Sequence, residues 1–440
     1  MHSFKLKCVS WNVLADGMSS NEFITNGGDE VNVLWTSRFP RICRIMQRFF
    51  EDGVQVVGLQ ENDHPYSILK ELQKYNPDIK CVHLLAKDAA RSADKLRLTN
   101  IFDYLNRTDE QFRKITDSCT SKDSKDFDGL YSRINDWYKA NTLEQIRKHF
   151  TITSFKEENA ELLQKVLHRN PDDLYVVNDG CTIYYDSSAL EFVESLSACN
   201  ITKTECPTIF TGHDLGCRFK ILENNSNFTP NKEHFLNVVC SHLKSGEGPE
   251  NEKRRSVQMR SMLRALNKED MASVILVDSN TSDLYRKDIE KTAVKGAVLV
   301  DSVIHEEGFR NVIPSKHNEC FKMRHARGAQ QNKFGNIMFD TIDKILIRTE
   351  FCSNHECVKP SLVNTLPNEY YEEVLSWRTN DDKRNELKTI CCDRKWGDNM
   401  NENDVSGSDF DRNIFLHLYP NQEMPSDHPP VMAEITFKIR

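Results

Sequence analysis

The sequence has no run of apolar residues long enough to span a bilayer, which takes about 20 of them. It has no internal repeat and no low-complexity tract. It also has no basic excess, because 58 lysines and arginines stand against 66 aspartates and glutamates, for a net charge of −8. These absences exclude a membrane-spanning protein and one that binds nucleic acid through a global basic field. An enzyme that grips a single strand in a local groove needs no such field.

Paired cysteine spacings are few, although the chain has 14 cysteines. The N-terminal residues contain no apolar signal core and no long arginine- or serine-rich leader. We therefore expect a reduced protein in the cytoplasm, or in the nucleus, whose cysteines are mostly small buried hydrophobes. The chain also lacks the glycine-rich phosphate loop of nucleotide triphosphatases and the serine elbow of hydrolases.

A chain of 440 residues with 38% hydrophobic residues can bury a large core. We interpret residues 1–440 as one domain with two insertions. Residues 88–173 are rich in charged residues with helical apolar stripes, which predicts a helical insertion. Residues 350–413 are polar and contain cysteines, which predicts a second insertion. The helical insertion either packs on the side of the domain or forms a lid or a surface for a protein partner.

Polar residues recur where short apolar strands end. The apolar residues 274–277 predict a buried strand, and Asp278 and Asn280 follow it at once. A strand ending in a turn would give the same pattern alone, because Asp, Ser and Asn are turn formers. The pattern is repeated at other strand ends and adjoining loops, which present Asn12, Glu61, His242, Asp278, Asn280, Asp343, Asp427 and His428.

These side chains suit metal-assisted phosphate chemistry. Carboxylate and amide oxygens are the ligands preferred by hard cations such as Mg²⁺ or Mn²⁺. A histidine oriented by a carboxylate can act as a base, and a second can donate to a phosphate oxygen. An unperturbed histidine pKa of roughly 6.5 makes either role reachable near neutral pH.

Seven short motifs resemble one known superfamily in their order along the chain. They are SWNVLADG at 10–17, LQE at 59–61, DGC at 179–181, SHLK at 241–244, DSN at 278–280, TIDKI at 341–345 and PSDH at 425–428. The chain thus resembles the endonuclease/exonuclease/phosphatase superfamily, and in particular its deadenylase branch. That branch includes the carbon-catabolite-repressor-type deadenylases, the Angel proteins and nocturnin, and the resemblance is somewhat closer to nocturnin.

The resemblance implies an α/β fold of the deoxyribonuclease-I-like type, a four-layer α/β/β/α sandwich. It implies a Mg²⁺-dependent 3′-5′ exoribonuclease that shortens poly(A) tails, with single-stranded RNA as substrate. A nocturnin-like phosphatase that removes the 2′-phosphate of NADP(H) is the alternative, and a catalytically degenerate RNA- or partner-binding protein is a second one. The intact set of chemical residues argues against the second alternative.

The resemblance also implies roles for matching residues. Glu61, helped by Asn12, is expected to hold the metal. Asp278 and Asn280 are expected to position the attacking water and the phosphate, and binding a second metal or acting as base are alternatives for Asp278. His428, oriented by Asp343, is expected to act as base or phosphate stabiliser. His242 and Lys244 are expected to stabilise negative charge on the phosphate. Asp427 is expected to help shape the site. Contacts with the substrate are expected from Lys87, Lys244, Arg324, Arg255 and Phe339. For Arg255 a solvated helix face is equally consistent, and for Phe339 core packing is the favoured reading over stacking on adenine.

Overall fold

The computed structural model describes residues 2–15, 35–62, 64–84, 105–106, 108–120, 129–130, 132–133, 136, 180–196, 214–222, 233–246, 248–281, 299–313, 322–325, 337–340, 342–358 and 424–439. Its helices are α1 (Trp35–Glu51), α2 (Pro65–Leu72), α3 (Glu110–Thr120), α4 (Pro249–Asn267) and α5 (Val300–Glu306), and Thr349–Phe351 is a 3₁₀ turn. The first strands are β1 (His2–Asn12), β2 (Val56–Gln60), β3 (Ile79–Leu84), β4 (Cys181–Asp186), β5 (Leu190–Ser195), β6 (Asp214–Ile221) and β7 (Phe235–His242). The later strands are β8 (Ala272–Asp278), β9 (Phe309–Asn311), β10 (Lys322–His325), β11 (Ile337–Asp340), β12 (Asp343–Arg348), β13 (Cys352–Val358) and β14 (Val431–Ile439).

Twelve of these strands form two six-stranded mixed sheets. The first sheet has the order β13-β14-β1-β2-β4-β3, and the second has the order β5-β6-β7-β8-β12-β9. Each sheet contains one parallel pair, β1–β2 in the first and β7–β8 in the second, and its other neighbours are antiparallel. Strands β10 and β11 form a separate antiparallel pair.

The two sheets pack face to face around one apolar core. Alternate residues of β1, such as Leu6 and Cys8, lie in the same buried cluster as Val238 of β7 and Leu276 of β8. This alternation follows from the strand period of two, which sends successive side chains to opposite faces. The core therefore lies between the sheets, as in other sandwiches.

Helices cover the outer faces of both sheets. On the first sheet, the ring of Phe49 in α1 lies 6.1 Å from that of Trp11 in β1, edge to face. On the second, Met259 of α4 and Val303 of α5 share a buried cluster with Ile275 of β8. Strand β8 is buried along its whole length because it has a sheet on one side and helices on the other. The predicted four-layer α/β/β/α sandwich is confirmed.

The two sheets approach closely at Gly58 of β2. A Cβ atom there would lie 2.8 Å from Cδ1 and 2.9 Å from Cβ of Leu276. Two residues on, Gln60 crosses between the sheets, because its Nε2 donates to the Leu276 carbonyl at 3.1 Å and to Ser10 Oγ at 3.1 Å. Glycine at position 58 thus permits the contact between β2 and β8.

The predicted insertions lie only in part within the described residues. In the first, 88–173, helix α3 is described, and it buries Phe112 and Thr116. The second, 350–413, was placed too early in the chain, because Cys352–Val358 is the edge strand β13 of the first sheet. Strand β13 ends the sheet and has a single buried residue, Cys352, which agrees with its polar composition. Residues 359–413 lie outside the described residues, so the remainder of this insertion stays a prediction.

Among the described residues, eight cysteines are free of disulfide bonds and six of these are buried. Burial raises the pKa of the Cys8 and Cys217 thiols above their usual range. A raised pKa keeps a thiol protonated and unreactive, so these two cysteines act as small apolar core residues. No helix in the described part of the chain is long and apolar enough to cross a membrane.

Candidate active site

Polar side chains meet where the parallel strands of both sheets end. Asn12 is the last residue of β1 and Glu61 follows β2, while His242 and Asp278 end β7 and β8 opposite each other. The carboxyl ends of parallel neighbours lie at the same edge of a sheet, and the face-to-face packing brings the two edges together. The sequence pattern at the strand ends therefore corresponds to one site.

The first part of the site is a group of two carboxylates around an amide. Asn12 Nδ2 donates to Glu61 Oε1 at 2.9 Å and to Asp278 Oδ2 at 2.9 Å, which links the two sheets. His242 Nε2 lies 3.7 Å from Glu61 Oε1 and 3.6 Å from Asp278 Oδ2. The Asn12 oxygen accepts the Leu14 N–H at 2.9 Å. Asn12 therefore orients both carboxylates through its amide nitrogen, while its amide oxygen accepts a backbone N–H.

The second part is an oriented histidine. His428 Nδ1 lies 2.7 Å from Asp343 Oδ2, and both residues are buried. If Nδ1 carries the proton, the neutral ring presents a lone pair at Nε2. That Nε2 lies 3.7 Å from Asp278 Oδ2 and 3.8 Å from Asp427 Oδ2. Asp278 therefore adjoins both parts of the site.

Two site residues have left-handed backbone conformations. Glu61 has a φ of 53° and Asn280 a φ of 48°, and Leu14 beside them has a φ of 60°. Such values are uncommon outside glycine and concentrate at functional sites. At Asn280 the turn is held by hydrogen bonds, because its N–H donates to Asp278 Oδ1 at 3.0 Å and its Nδ2 to the Leu243 carbonyl at 3.0 Å.

The loop that carries His428 is tied to β1 and α1. Ser426 Oγ donates to the Asn12 carbonyl at 2.6 Å, and Trp11 Nε1 donates to the His428 carbonyl at 2.8 Å. Buried Arg38 of α1 donates from Nε to the Pro425 carbonyl at 2.7 Å and from Nη2 to the Val13 carbonyl. These bonds fix the backbone on which the histidine is mounted.

The five predicted substrate contacts lie in different parts of the chain. Lys244 is exposed next to the site, and its backbone N–H donates to Gln258 Oε1 at 3.1 Å. Arg255 is fully buried in α4 and points away from solvent, so its predicted direct contact with substrate is corrected to a contact with the protein itself. Arg324 and Phe339 lie on the paired strands β10 and β11, and Lys87 lies outside the described residues.

Sequence reasoning missed Asp214, the first residue of β6. It pairs with Ser241 of β7, whose Oγ donates to Asp214 Oδ1. Burial raises the pKa of Asp214 to about 6, although the Ser241 hydrogen bond and the charge of nearby His242 lower it in part. Nothing in the local sequence marks Asp214, because the strand that it begins, DLGCRFKI, mixes charged and apolar residues.

Sequence reasoning also missed Arg38, for which a signal existed. It lies four residues before Ile42 on the stripe that continues to Ile45 and Phe49, and all four are buried. A charged residue on the apolar stripe of a helix is expected to have buried partners, because an unpaired buried charge is costly. Charged residues on such stripes are therefore candidates for roles in positioning a site.

The donor set fits a hard divalent cation. Ligand atoms of Glu61, His242 and Asp278 lie within 4.8 Å of one another, and so do those of Asp278, Asp343 and His428. Glu61 and Asp278 each place a carboxylate oxygen 2.9 Å from the same amide nitrogen of Asn12. Like charges this close are stabilised by a cation between them, and oxygen ligands favour Mg²⁺ or Mn²⁺ over softer metals.

No protein-family model and no curated protein matches the chain. Among solved structures it is similar to ANGEL2, a 2′,3′-cyclic phosphatase (TM-score 0.45, 11% identity, 99% of this chain and 95% of that chain). The human Nocturnin catalytic domain with bound sulfate matches with TM-score 0.39 and 11% identity over 99% of this chain and 95% of that chain. An endonuclease/exonuclease/phosphatase family protein from Bacteroides thetaiotaomicron matches with a TM-score of 0.41 and 11% identity over 100% of both chains. The last of these is a member of the superfamily that the motifs resemble.

Proposed function

We propose that this protein is a divalent-metal-dependent phosphoester hydrolase that shortens poly(A) from its 3′ end. The observation that carries the hydrolase is the position of one atom, Asp278 Oδ2. It lies 2.9 Å from Asn12 Nδ2, 3.6 Å from His242 Nε2 and 3.7 Å from His428 Nε2. Asp278 Oδ2 therefore lies beside both parts of the site, the group of Glu61, Asn12 and His242 and the oriented His428.

Glu61 and Asp278 are the residues that would hold the metal, with Asn12 fixing their spacing. A bound Mg²⁺ or Mn²⁺ would neutralise phosphate charge as a Lewis acid. The backbone N–H of Ala15 donates to Glu61 Oε2 at 3.2 Å, so the second oxygen of that carboxylate is also held in place. Glu61 has a left-handed backbone with a φ of 53°, and its Oε1 accepts from the same Asn12 amide nitrogen as Asp278 Oδ2 of the other sheet.

His428 is the proposed base. Its Nδ1 is bonded to Asp343, which fixes the ring and stabilises the imidazolium that forms when Nε2 accepts a proton. Protonated His428 then faces the phosphate as a donor. Asp343 acts through His428 and is a positioning residue.

His242 and Lys244 are the proposed charge stabilisers. His242 is partly exposed and Lys244 is exposed, whereas Glu61, Asp278 and His428 are buried. A phosphate therefore meets these two side chains at the open side of the group. Hydrogen bonds from them to phosphate oxygens would strengthen as negative charge builds up in the transition state.

Poly(A) as substrate rests on the sequence resemblance to the deadenylase branch. We further propose that the protein acts in the cytoplasm or the nucleus, that single-stranded RNA is its partner and that the two insertions bind other proteins. The 2′-phosphate of NADP(H) is the competing substrate.

The experiment compares Mg²⁺-dependent turnover of a short 5′-labelled oligo(A) and of NADPH. Glu61→Ala is expected to abolish turnover while the thermal midpoint stays close to that of the wild type, and Glu191→Ala, an exposed glutamate on β5, is the matched control. Stepwise shortening of oligo(A) supports the deadenylase. Phosphate release from NADPH alone refutes it in favour of the phosphatase, and turnover retained by Glu61→Ala removes the metal assignment.

A further inference from the structure

A buried ion pair lies on the inner side of helix α4, behind the site. Glu252 and Arg255 are both fully buried. Arg255 donates to Glu252 Oε2 from Nε at 2.8 Å, and its Nη2 lies 2.7 Å from the same oxygen. Removing two charges from water is costly, and an apolar pair of similar volume is often at least as stable. Overall stability is therefore a weak reason for the presence of this pair.

The other atoms of the pair are bonded to two loops. Arg255 Nη1 donates to the carbonyls of Lys244 at 3.0 Å and Gly246 at 2.7 Å, in the loop that follows His242. Glu252 Oε1 accepts from Thr281 Oγ1 at 2.6 Å, in the loop that follows Asp278. Both loops are thus attached to one point on α4.

The same carboxylate oxygen also anchors α5. Glu252 Oε1 accepts the backbone N–H of Val300, the first residue of that helix, at 3.0 Å. The two loops also touch each other directly, because the Leu243 N–H donates to the Asp278 carbonyl at 2.9 Å. The ion pair thus joins three segments, the loop after His242, the loop after Asp278 and the start of α5, into one frame.

We propose that Glu252 and Arg255 are positioning residues, which hold the loop of Lys244, directly after His242, against the loop of Asn280, directly after Asp278. This inference rests on the proposed function, because it assigns the frame to that reaction. Neither residue reaches the substrate. Their effect is exerted through the backbone of two loops whose side chains must be correctly placed to fractions of an ångström.

Thr281→Val is the informative variant. Valine keeps the shape of threonine and removes the hydroxyl that donates to Glu252, while the ion pair remains intact. Thr281→Ser is the matched control, because it keeps the hydroxyl. We expect Thr281→Val to lower kcat for oligo(A) by about tenfold or more, with KM within about twofold of the wild type. Thr281→Ser is expected to retain the wild-type kcat.

Hydrogen exchange at the Leu243 amide provides a readout that does not need a substrate. This amide is bonded to the Asp278 carbonyl, so it exchanges faster when the two loops separate. We expect faster exchange at residues 242–246 in Thr281→Val but not in Thr281→Ser, with β8 unchanged in both.

Equal exchange in the two variants overturns the inference, whatever their turnover. A change in KM alone also overturns it, since that result assigns Thr281 to substrate binding. If the wild type turns over neither oligo(A) nor NADPH, the proposed function fails and the exchange result alone decides whether the frame positions the loops.

Arg255→Met, which leaves Glu252 without its partner charge, is expected to increase hydrogen exchange at residues 244–246 more strongly than Thr281→Val.

Discussion

Replacing Gly58 by alanine tests how closely the sheets must pack for the site to form. The added Cβ would lie 2.8 Å from Leu276 Cδ1, 2.9 Å from Leu276 Cβ and 3.2 Å from Cys240 Sγ. Leu276 and Cys240 are fully buried in the core between the sheets. A side-chain rotation can move Cδ1, but the Leu276 Cβ moves only with β8. The sheets must therefore separate by several tenths of an ångström to restore ordinary contact.

The cost follows from this overlap. Overpacking a well-packed core costs about 1–3 kcal/mol. Alanine recovers about 0.5–1 kcal/mol by restricting the unfolded chain. We therefore expect a net loss of about 1–2 kcal/mol in the free energy of unfolding. Since Asn12 ends β1 in one sheet and Asp278 ends β8 in the other, the same separation lengthens the hydrogen bond from Asn12 to Asp278 and lowers turnover.

Urea unfolding and Mg²⁺-dependent turnover measure the two effects on the same samples. Gly53→Ala is the control, because Gly53 has a φ of +79° but no atom lies within 4 Å of its added Cβ. It costs about 1 kcal/mol through backbone strain alone and leaves turnover unchanged. A Gly58→Ala protein with wild-type stability, or equal losses of turnover in both variants, would refute the packing argument.

Asp343→Asn is expected to lower kcat by about 10²–10⁴-fold, because His428 loses the charge that stabilises its protonated form. A pH–rate profile of the variant and the wild type measures the loss of kcat. A loss below about threefold excludes His428 as the proposed base. Asp214→Asn tests pH dependence, since burial raises the pKa of Asp214 to about 6 from 3.8. The folded protein then binds this proton more tightly than the unfolded chain, so the free energy of unfolding falls as pH rises from 3.8 to about 6. Between about pH 4.5 and about pH 7.5 the wild type should lose about 2 kcal/mol relative to Asp214→Asn; parallel pH curves for the two proteins contradict this assignment.

The strand-end pattern predicted much of the site, because it is a local property. A buried strand needs a continuous or alternating apolar run, and the residue that follows is visible in the sequence. Glu61, His242 and Asp278 were predicted in this way, and the structure brings them together. Asp214 was not, because its strand, DLGCRFKI, mixes charged and apolar residues and carries neither signal clearly.

Short edge strands were missed for a related reason. Strand β13, CSNHECV, has a single buried residue and the composition of a polar loop, which is why the second predicted insertion began too early. Its place in the sheet depends on backbone pairing with β14, to which its side chains contribute little. Arg255 shows the opposite error, because a basic residue on a charged helix was interpreted as facing the solvent.

Local sequence specifies the apolar strands, the helices that cover them and the polar residues that follow the strand ends, since each depends on neighbours within a few positions. The meeting of those residues in one site depends on the tertiary packing. Asn12 donates a hydrogen bond to Asp278, which is 266 positions away in the chain. Arg255 is buried because the Glu252 carboxylate and two loop carbonyls accept its hydrogen bonds. Such contacts arise from the approach of two sheets and a helix, and no local pattern encodes that approach.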